Sequence, residues 1–419
     1  MARARSCEGA GAGATVPTTT ATRMEERRPD LLIHAGRVVC PATGLDGPGT
    51  VAVVGDRIVA AGPGLDGSAA EVLRLPDAVV LPGLVDLHAH ATHAGDSPSK
   101  YGVEPDVHLL PFGTTTVLSQ GDAGALGWPA FRDDLIAVSR TRVWLALNLS
   151  RRGESMTEGC FEILDDADVG ACVGAIRDDR RTGTSAIWGI AVNVGRPSCG
   201  RTDPRAVMAR ALAAARDTGL PLLYGSRRAD DWSFDEQLAL LRSGDVVTYC
   251  FNDQPEGLLR GDRVREAAWA ARERGVRFDV GHGMGSFSFP VAEQAMAEGF
   301  FPDTISTDRY RRHLAQLPRH VLPRVLSKLL AVGMAEPEAF ARVTAGPADI
   351  LGLGGEVGTL TPGACADLVA LVWNPAAPTL RDTSGGERPG GSWEPVLTIR
   401  AGRVVEPAPA PATPPTRLE

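Results

Sequence analysis

The sequence contains no CxxC pair, and its seven cysteines are scattered along the chain. A disulfide framework is therefore not expected, and a reducing cytoplasm is the predicted compartment. No apolar run reaches the roughly 18 residues that a membrane helix needs. The first residues also lack the apolar stretch of a secretory signal. These absences predict a cytoplasmic protein that has no membrane partner.

Basic charge is also scarce, and lysine is the scarcest of the basic residues. The chain has 43 lysines and arginines against 51 acidic residues, which gives a formal net charge of −8. This balance argues against a nucleic-acid partner held by a general positive field. The only lysines are Lys100 and Lys328. GC-rich codon usage is the simplest explanation of that scarcity. The scarcity of lysine nevertheless limits the metal sites that the chain can build.

The 419 residues suit one large domain and one smaller domain. Short strands joined by tight turns are predicted over residues 31–60. The phrase Ile33-His-Ala-Gly-Arg-Val-Val39 returns near the end as Ile399-Arg-Ala-Gly-Arg-Val-Val405. We therefore predict a small β-sandwich domain built from both termini, at residues 29–78 and 354–406. Composition predicts disorder for 1–28, where Met24 is a second candidate start, and for 407–419.

Between these two parts, strands alternate with helical stretches, and the pattern predicts an α/β fold of the (β/α)8 TIM-barrel type over residues 79–353. A typical helix follows Asp203, with Pro204 in its first turn and Gly219 at its end. Most strands finish in polar residues, which a barrel gathers at one mouth, where barrel enzymes work. The eight strands are predicted at 81–90, 114–120, 143–150, 187–193, 221–224, 246–252, 276–282 and 303–308.

The first barrel strand, Leu81-Pro-Gly-Leu-Val-Asp-Leu-His-Ala-His90, ends in two histidines. Alternate side chains of a strand share a face, so His88 and His90 point the same way. Two adjacent imidazoles form half of a site for zinc or a similar divalent metal. The alternative is a pair of surface histidines in a loop.

Several phrases occur in the order found in one enzyme family. After the His88 strand come Phe278-Asp-Val-Gly-His-Gly-Met-Gly-Ser286, Pro302-Asp-Thr-Ile-Ser-Thr-Asp308 and Leu326-Ser-Lys-Leu-Leu-Ala-Val-Gly-Met334. Over roughly residues 30–405, the chain resembles the amidohydrolase superfamily, in its deacetylase and dihydroorotase-like branch. The resemblance implies that His88, His90 and Asp308 bind a divalent metal. It also implies that Asp308 is the catalytic base that takes a proton from metal-bound water.

The sequence departs from the two-metal members of that family at three strand ends. Those members carry a bridging carboxylate, often a carbamylated lysine, at the end of strand four and histidines at the ends of strands five and six. Here Ala191 stands at the lysine position, strand five ends without a histidine, and Tyr249 stands where strand six has one. The remaining ligands predict one divalent ion per chain, with zinc preferred. His93 is either a further ligand or a loop histidine, and Cys199 and Cys250 are expected to be inert and buried.

Three further residues are predicted to bind substrate. Tyr224 and Tyr249 lie in the region of the lost ligands, where a phenol could donate a hydrogen bond to a substrate carbonyl. The alternative is that they only fill the space. His282 lies between two glycines, which let a ligand approach the backbone closely. It is expected to contact substrate or donate a proton, with a packed core histidine as the alternative.

The function predicted from these residues is metal-dependent hydrolysis of an amide, cyclic amide or ester bond in a small molecule. Two alternatives stay open, namely a metal-dependent lyase or isomerase on the same scaffold and an inactive barrel that binds a small molecule. Family members are often homo-oligomers, but no stretch of this sequence indicates an interface. The sequence leaves the substrate open.

Overall fold

A computed structural model describes residues 28–65, 67–93, 101–157 and 159–407. Met24, Lys100 and nearly all of both predicted disordered ends lie outside the described residues. Four strands open the described chain: β1 (Leu31–Cys40), β2 (Leu45–Val54), β3 (Arg57–Gly62) and β4 (Glu71–Pro82). Nine more follow: β5 (Leu84–Ala89), β6 (Thr114–Gln120), β7 (Arg142–Asn148), β8 (Ile187–Asn193), β9 (Leu222–Gly225), β10 (Val246–Thr248), β11 (Leu259–Arg260), β12 (Arg263–Val264) and β13 (Arg277–Phe278). The last five are β14 (Leu368–Asn374), β15 (Leu380–Arg381), β16 (Glu387–Arg388), β17 (Ser392–Arg400) and β18 (Arg403–Val404).

A curled parallel sheet of seven strands, in the order β13-β10-β9-β8-β7-β6-β5, forms the barrel wall. The predicted eighth strand, residues 303–308, is present only as isolated bridges to its two neighbours. Thr304 pairs with Asp279 after β13, and Arg309 pairs with Ala89 of β5. This segment therefore lies between the first and last strands of the sheet, where the predicted barrel needs its closing strand.

The helices lie between the strands of the barrel and after its last segment. In α5, the Asp203 side chain accepts a hydrogen bond from Arg205 N at 3.0 Å, and Gly219 ends the helix with a φ of +72°. This is the start and stop that the sequence predicts. The helices are α1 (Pro105–His108), α2 (Trp128–Ala130), α3 (Val169–Thr182), α4 (Arg196–Cys199), α5 (Pro204–Thr218), α6 (Phe234–Ala239), α7 (Glu266–Glu273), α8 (Phe289–Ala297), α9 (Leu322–Ala331), α10 (Glu336–Ala341) and α11 (Ala345–Ile350).

Strand alternation divides the buried side chains of the barrel into two sets. Leu223 of β9 belongs to a cluster with Ala191 of the adjacent β8 and Ala146 of β7. Tyr224, the next residue, belongs instead to the large cluster that includes Phe234 and Leu238 of α6. Successive residues of a strand point to opposite faces, so the parity of β9 sends Tyr224 towards the surrounding helices.

The two ends of the described chain share a second sheet, in the order β18-β17-β14-β4-β1-β2-β3. β4 pairs with β1 on one side and with β14 on the other. It continues to Pro82, past the predicted boundary at residue 78, and β5 begins two residues later. The domain boundaries themselves stay a prediction. Among the described residues, no helix has the length and apolarity that crossing a bilayer requires.

Candidate metal centre

His88, His90 and Asp308 converge at the end of β5, and all three side chains are buried. The Asp308 Oδ1 atom lies 3.4 Å from His88 Nε2 and 3.1 Å from His90 Nε2. One ligand atom from each residue falls within 4.8 Å of the other two. The strand ends at the two closing edges of the barrel therefore bring these side chains together.

Hydrogen bonds on the far side of each imidazole determine which ring nitrogen carries the proton. Thr248 donates its single hydroxyl hydrogen to Asp279 Oδ2 at 2.8 Å, so its oxygen accepts from His88 Nδ1 at 2.8 Å. In the same way, His90 Nδ1 donates to Asp122 Oδ1 at 3.2 Å. In the neutral form of each ring, the Nε2 lone pair is then directed towards Asp308. Such outer partners are what orient histidine ligands in metal sites.

The backbone holds Asp308 in an unusual conformation. Its φ is +47°, a left-handed value that is rare outside glycine, and its N–H donates to His88 O at 2.6 Å. The preceding Thr307 donates its hydroxyl to Asp86 of β5 at 2.6 Å. Local strain of this kind persists where neighbouring contacts enforce it, and it is frequent at functional sites.

The electrostatics of the three residues are strongly coupled. Burial alone would lower the pKa of His88, but the charges of Asp308 and Asp279 outweigh burial and raise it to about 9. For His90, burial is likewise outweighed by Asp122 and Asp308, and its pKa is raised well above the usual value. Burial would raise the pKa of Asp308, yet both imidazoles hold it below its usual range. The cluster therefore attracts positive charge, whether as protons or as a metal ion.

The donor set fits a zinc-like ion. His88 Nε2 is a buried nitrogen without a hydrogen-bond partner among the described residues, which is costly unless a ligand occupies it. Ligand atoms about 2.0–2.1 Å from a tetrahedral zinc lie roughly 3.3 Å apart. The separations of 3.1 and 3.4 Å to Asp308 Oδ1 agree with that spacing. His93 is not part of this three-residue group among the described residues.

Two of the three predicted substrate-binding residues lie near this centre. The Tyr249 ring is centred 5.2 Å from the His88 ring, and its φ of +65° turns it out of the regular strand path. Burial, with the charges of Asp308 and Glu154, raises the pKa of Tyr249 well above its usual value, so the phenol stays protonated. His282 is buried, and Gly283 beside it would place an ideal Cβ only 2.3 Å from Asp308 Oδ2.

Tyr224, by contrast, is not brought to the site, and its predicted contact with substrate is corrected here. Its hydroxyl donates to Gln237 Oε1 of α6 at 2.7 Å, and its side chain is fully buried. The reason is the parity of β9, in which Leu223 takes the inward position. Cys199 and Cys250 are buried as expected, and burial raises the pKa of the Cys199 thiol to about 11.

Sequence reasoning missed the acidic residues that surround the histidines. Asp122 follows the end of β6 and supports the His90 ring. Glu154 follows β7 in a loop, yet its side chain is only 10% exposed and its Oε2 lies 3.9 Å from His90 Nδ1. Burial raises the pKa of Glu154 to about 7. Its position in a polar loop gives no signal by which the sequence alone could have singled it out.

Comparison with known proteins agrees with this geometry. A deacetylase from Enterococcus faecalis is 32% identical over 381 residues, which cover 90% of this chain and 99% of the relative. A deacetylase from Agrobacterium fabrum is 31% identical over 74% of this chain and 73% of the relative. A crystal structure of an adenine deaminase superposes with a TM-score of 0.80 at 31% identity, covering 90% of this chain and 99% of that one.

The chain belongs to the amidohydrolase superfamily. The crystal structure of a dihydroorotase is also similar to this amidohydrolase, with a TM-score of 0.78 and 27% identity. This similarity agrees with the deacetylase and dihydroorotase-like branch of the superfamily. No protein-family model matches the chain. The predicted barrel with a separate sheet domain is thereby confirmed. The roles of individual residues stay predictions.

Proposed function

We propose that this amidohydrolase hydrolyses an amide, cyclic amide or ester bond of a small molecule with one zinc ion bound by His88, His90 and Asp308. The observation that carries the proposal is the convergence of two buried Nε2 atoms on the Asp308 carboxylate. Relatives with the names deacetylase, adenine deaminase and dihydroorotase support action on C–N bonds. Their names also favour the hydrolase over a lyase or isomerase.

The metal-binding residues have separate tasks. A bound zinc ion supplies Lewis acidity that lowers the pKa of water towards 7. Asp308 would accept the proton that the attacking water loses and pass it to the leaving amine or alkoxide. Its Oδ2 faces Gly283, where the missing side chain leaves room beside the carboxylate.

Tyr249 would stabilise charge that develops on the substrate. Its hydroxyl remains a donor at neutral pH because the pKa is raised, and its ring packs against His88. A phenol there would perform part of the task of a second metal by donating to the substrate oxyanion. Arg228 lies 5.1 Å from the centre of the same ring and helps to hold it.

Metal analysis of the purified protein is the first experiment. We expect about one zinc per chain, which is lost in His88→Ala and retained in His34→Ala, whose imidazole hydrogen-bonds to Thr50 in the terminal sheet. Metal-free folded protein would favour the inactive-barrel alternative, and two tightly held ions would contradict the ligand assignment. A cytoplasmic location is part of this proposal. A homo-oligomer stays a prediction that light scattering on the eluted protein can test.

A panel of substrates then identifies the reaction. N-acyl compounds, O-acyl compounds and cyclic amides are each incubated with the wild type and with His88→Ala. Release of carboxylate or acetate by the wild type alone supports hydrolysis. Turnover without uptake of water from ¹⁸O-labelled solvent would instead favour a lyase or isomerase.

A further inference from the structure

A polar cavity with a volume of about 330 Å³ is lined in part by Gly283, the residue that faces Asp308 Oδ2. Its walls come from the residues after β13, from α9 and from the segment that begins with β15. The titratable side chains that line it are His282, His320, Arg324, Lys328, Arg381 and Asp382. None of them is one of the three metal-binding candidates, although His282 is a predicted substrate-binding residue of the neighbouring centre.

Lys328 is the most deeply placed cation of this cavity, with only 7% of its surface exposed. His282 Nδ1 donates to Gly283 O at 2.8 Å, so its Nε2 accepts, and Lys328 Nζ is the donor at 2.8 Å. An ammonium has three N–H donors. Among the described residues, His282 is the single hydrogen-bond partner of Lys328, which leaves two donors unused.

Arg324, one helical turn before Lys328 on α9, is also buried, with 8% exposed. Its Nη2 donates to the carbonyl oxygens of Pro378 and Thr379, each at 3.1 Å. Within the described part of the chain, its Nε and Nη1 have no hydrogen-bond partner. The guanidinium therefore keeps donors that no carboxylate of the described residues accepts.

Among the residues that line the cavity, Asp382 is the one that carries a carboxylate, and it already accepts hydrogen bonds from backbone N–H groups. Asp382 accepts from Phe289 N at 2.9 Å and from the backbone N–H groups of Ser384 and Gly386. Arg381 is mostly exposed and pairs with Glu387 at 2.9 Å. His320 donates Nε2–H to Thr307 O and so offers no further donor in its neutral form. The surplus donors at the cavity are those of Lys328 and Arg324.

Burying a cation without a partner is unfavourable, because the ion loses its hydration and gains no opposite charge in return. Lys328 shows this cost. Burial, together with the charge of Arg324, lowers the pKa of its ammonium group to about 7. We propose that this cavity is a binding site for a small oxyanion, a carboxylate or a phosphate, held by Lys328 Nζ and the free guanidinium donors of Arg324. The inference does not rest on the proposed hydrolase activity.

Calorimetric titration of the full-length protein tests the site, with inorganic phosphate and sodium acetate as separate probes at pH 7. We expect one anion to bind per chain and the midpoint of thermal unfolding to rise with anion concentration. Binding of acetate alone would indicate a carboxylate ligand, and tighter binding of phosphate would indicate a phosphate ligand. If neither probe binds, the proposal is wrong.

Variants locate the binding. Lys328→Met and Arg324→Gln should each weaken binding at least tenfold, whereas Arg263→Met, which removes a positive charge from the exposed β12, should leave it unchanged. If one of the first two variants does not fold, the other still gives the test. Unchanged affinity in both would overturn the proposal.

A selenate soak of wild-type crystals gives an independent position. An anomalous peak within hydrogen-bonding distance of Lys328 Nζ and Arg324 supports the site. Peaks at other places alone would contradict it.

Discussion

The barrel mouth holds two groups of buried histidines whose electrostatics are opposite. His88 and His90 lie beside Asp308, Asp279 and Asp122, and their pKa values are raised. In the second group, burial with the nearby Lys328 lowers the pKa of His282 and of His320, and burial lowers that of His313 to about 4. The residue type and the burial are the same in both groups. The difference shows that neighbouring charge decides whether a buried histidine attracts a cation or stays neutral beside one.

Gly283 adjoins both groups. Gly283 contacts the Asp308 carboxylate on one side and lines the cationic cavity on the other. It has a φ of +49°, which favours glycine. The proposed metal centre, which is anionic, and the proposed anion site, which is cationic, can therefore be probed separately by substitutions on either side of this residue.

The largest effect is expected from Asp308→Asn, which removes the charge that both histidines of the first group share. Hydrolysis should fall by at least about 10³-fold, because a ligand and the general base are lost together. Zinc should also be lost from the purified protein, as measured by elemental analysis. The control is Asp262→Asn, at an exposed carboxylate far along the chain, and it should keep full activity. Retention of metal and rate in Asp308→Asn would contradict the site.

Asp122→Asn tests how far the outer carboxylate controls its histidine. The substitution keeps the size of the side chain but removes the negative charge of the carboxylate that accepts a hydrogen bond from His90 Nδ1. Loss of such an outer partner typically weakens metal affinity 10–100-fold. Competition with a chromophoric chelator measures this affinity. An unchanged affinity would mean that Asp122 does not orient the ligand, and the contrast between the histidine groups would then depend on Asp308 alone.

Lys328→Met tests the second group through the pH dependence of stability. In the folded protein the pKa of Lys328 is about 7, below its usual 10.5. Between these two pH values the unfolded chain binds more protons than the folded protein. The free energy of unfolding of the wild type therefore increases as the pH rises, by at most about 1.4 kcal/mol per pH unit. The variant should lack this gain. Urea unfolding at pH 7 and pH 9 in an anion-poor buffer measures it, and parallel pH profiles would refute the assignment.

The smallest effect is expected from Tyr224→Phe, which removes the hydrogen bond to Gln237 of α6. It should cost about 1 kcal/mol of the free energy of unfolding and leave kcat and KM unchanged. Tyr249→Phe is the matched comparison, and there kcat should fall while the stability changes little. Equal kinetic effects of the two substitutions would restore Tyr224 to the site.

Much of the fold follows from the sequence because periodicity and strand-end polarity are local signals. Of the two repeated phrases, the second turns at Ala401-Gly402 between β17 and β18, as predicted, whereas the first lies within the continuous strand β1 and forms only a bulge between Ala35 and Val38. The cap at Asp203 has the structure that the sequence predicts. The pairing of His88 with His90 follows from strand alternation, and the resemblance supplied Asp308. In these parts of the site, a short sequence motif is enough to predict where the side chains lie.

What the sequence did not predict depends on contacts between distant segments. The inward or outward direction of Tyr224 depends on the register of a four-residue strand, which its apolar neighbours do not determine. Thr248, Asp279 and Glu154 act at the site through contacts with residues far away in the chain. The surplus donors of Lys328 and Arg324 become apparent only when every nearby carboxylate has been assigned a partner.

The second sheet has a consequence for synthesis on the ribosome. Strand β4 leaves one edge for β14, and the whole barrel must be translated before β14 emerges. Until then a nascent chain presents an open, apolar edge, the kind of surface that pairs with other chains. Chaperone capture of this amidohydrolase should therefore depend less on the barrel than on the time for which the edge of β4 stays unpaired before β14 is translated.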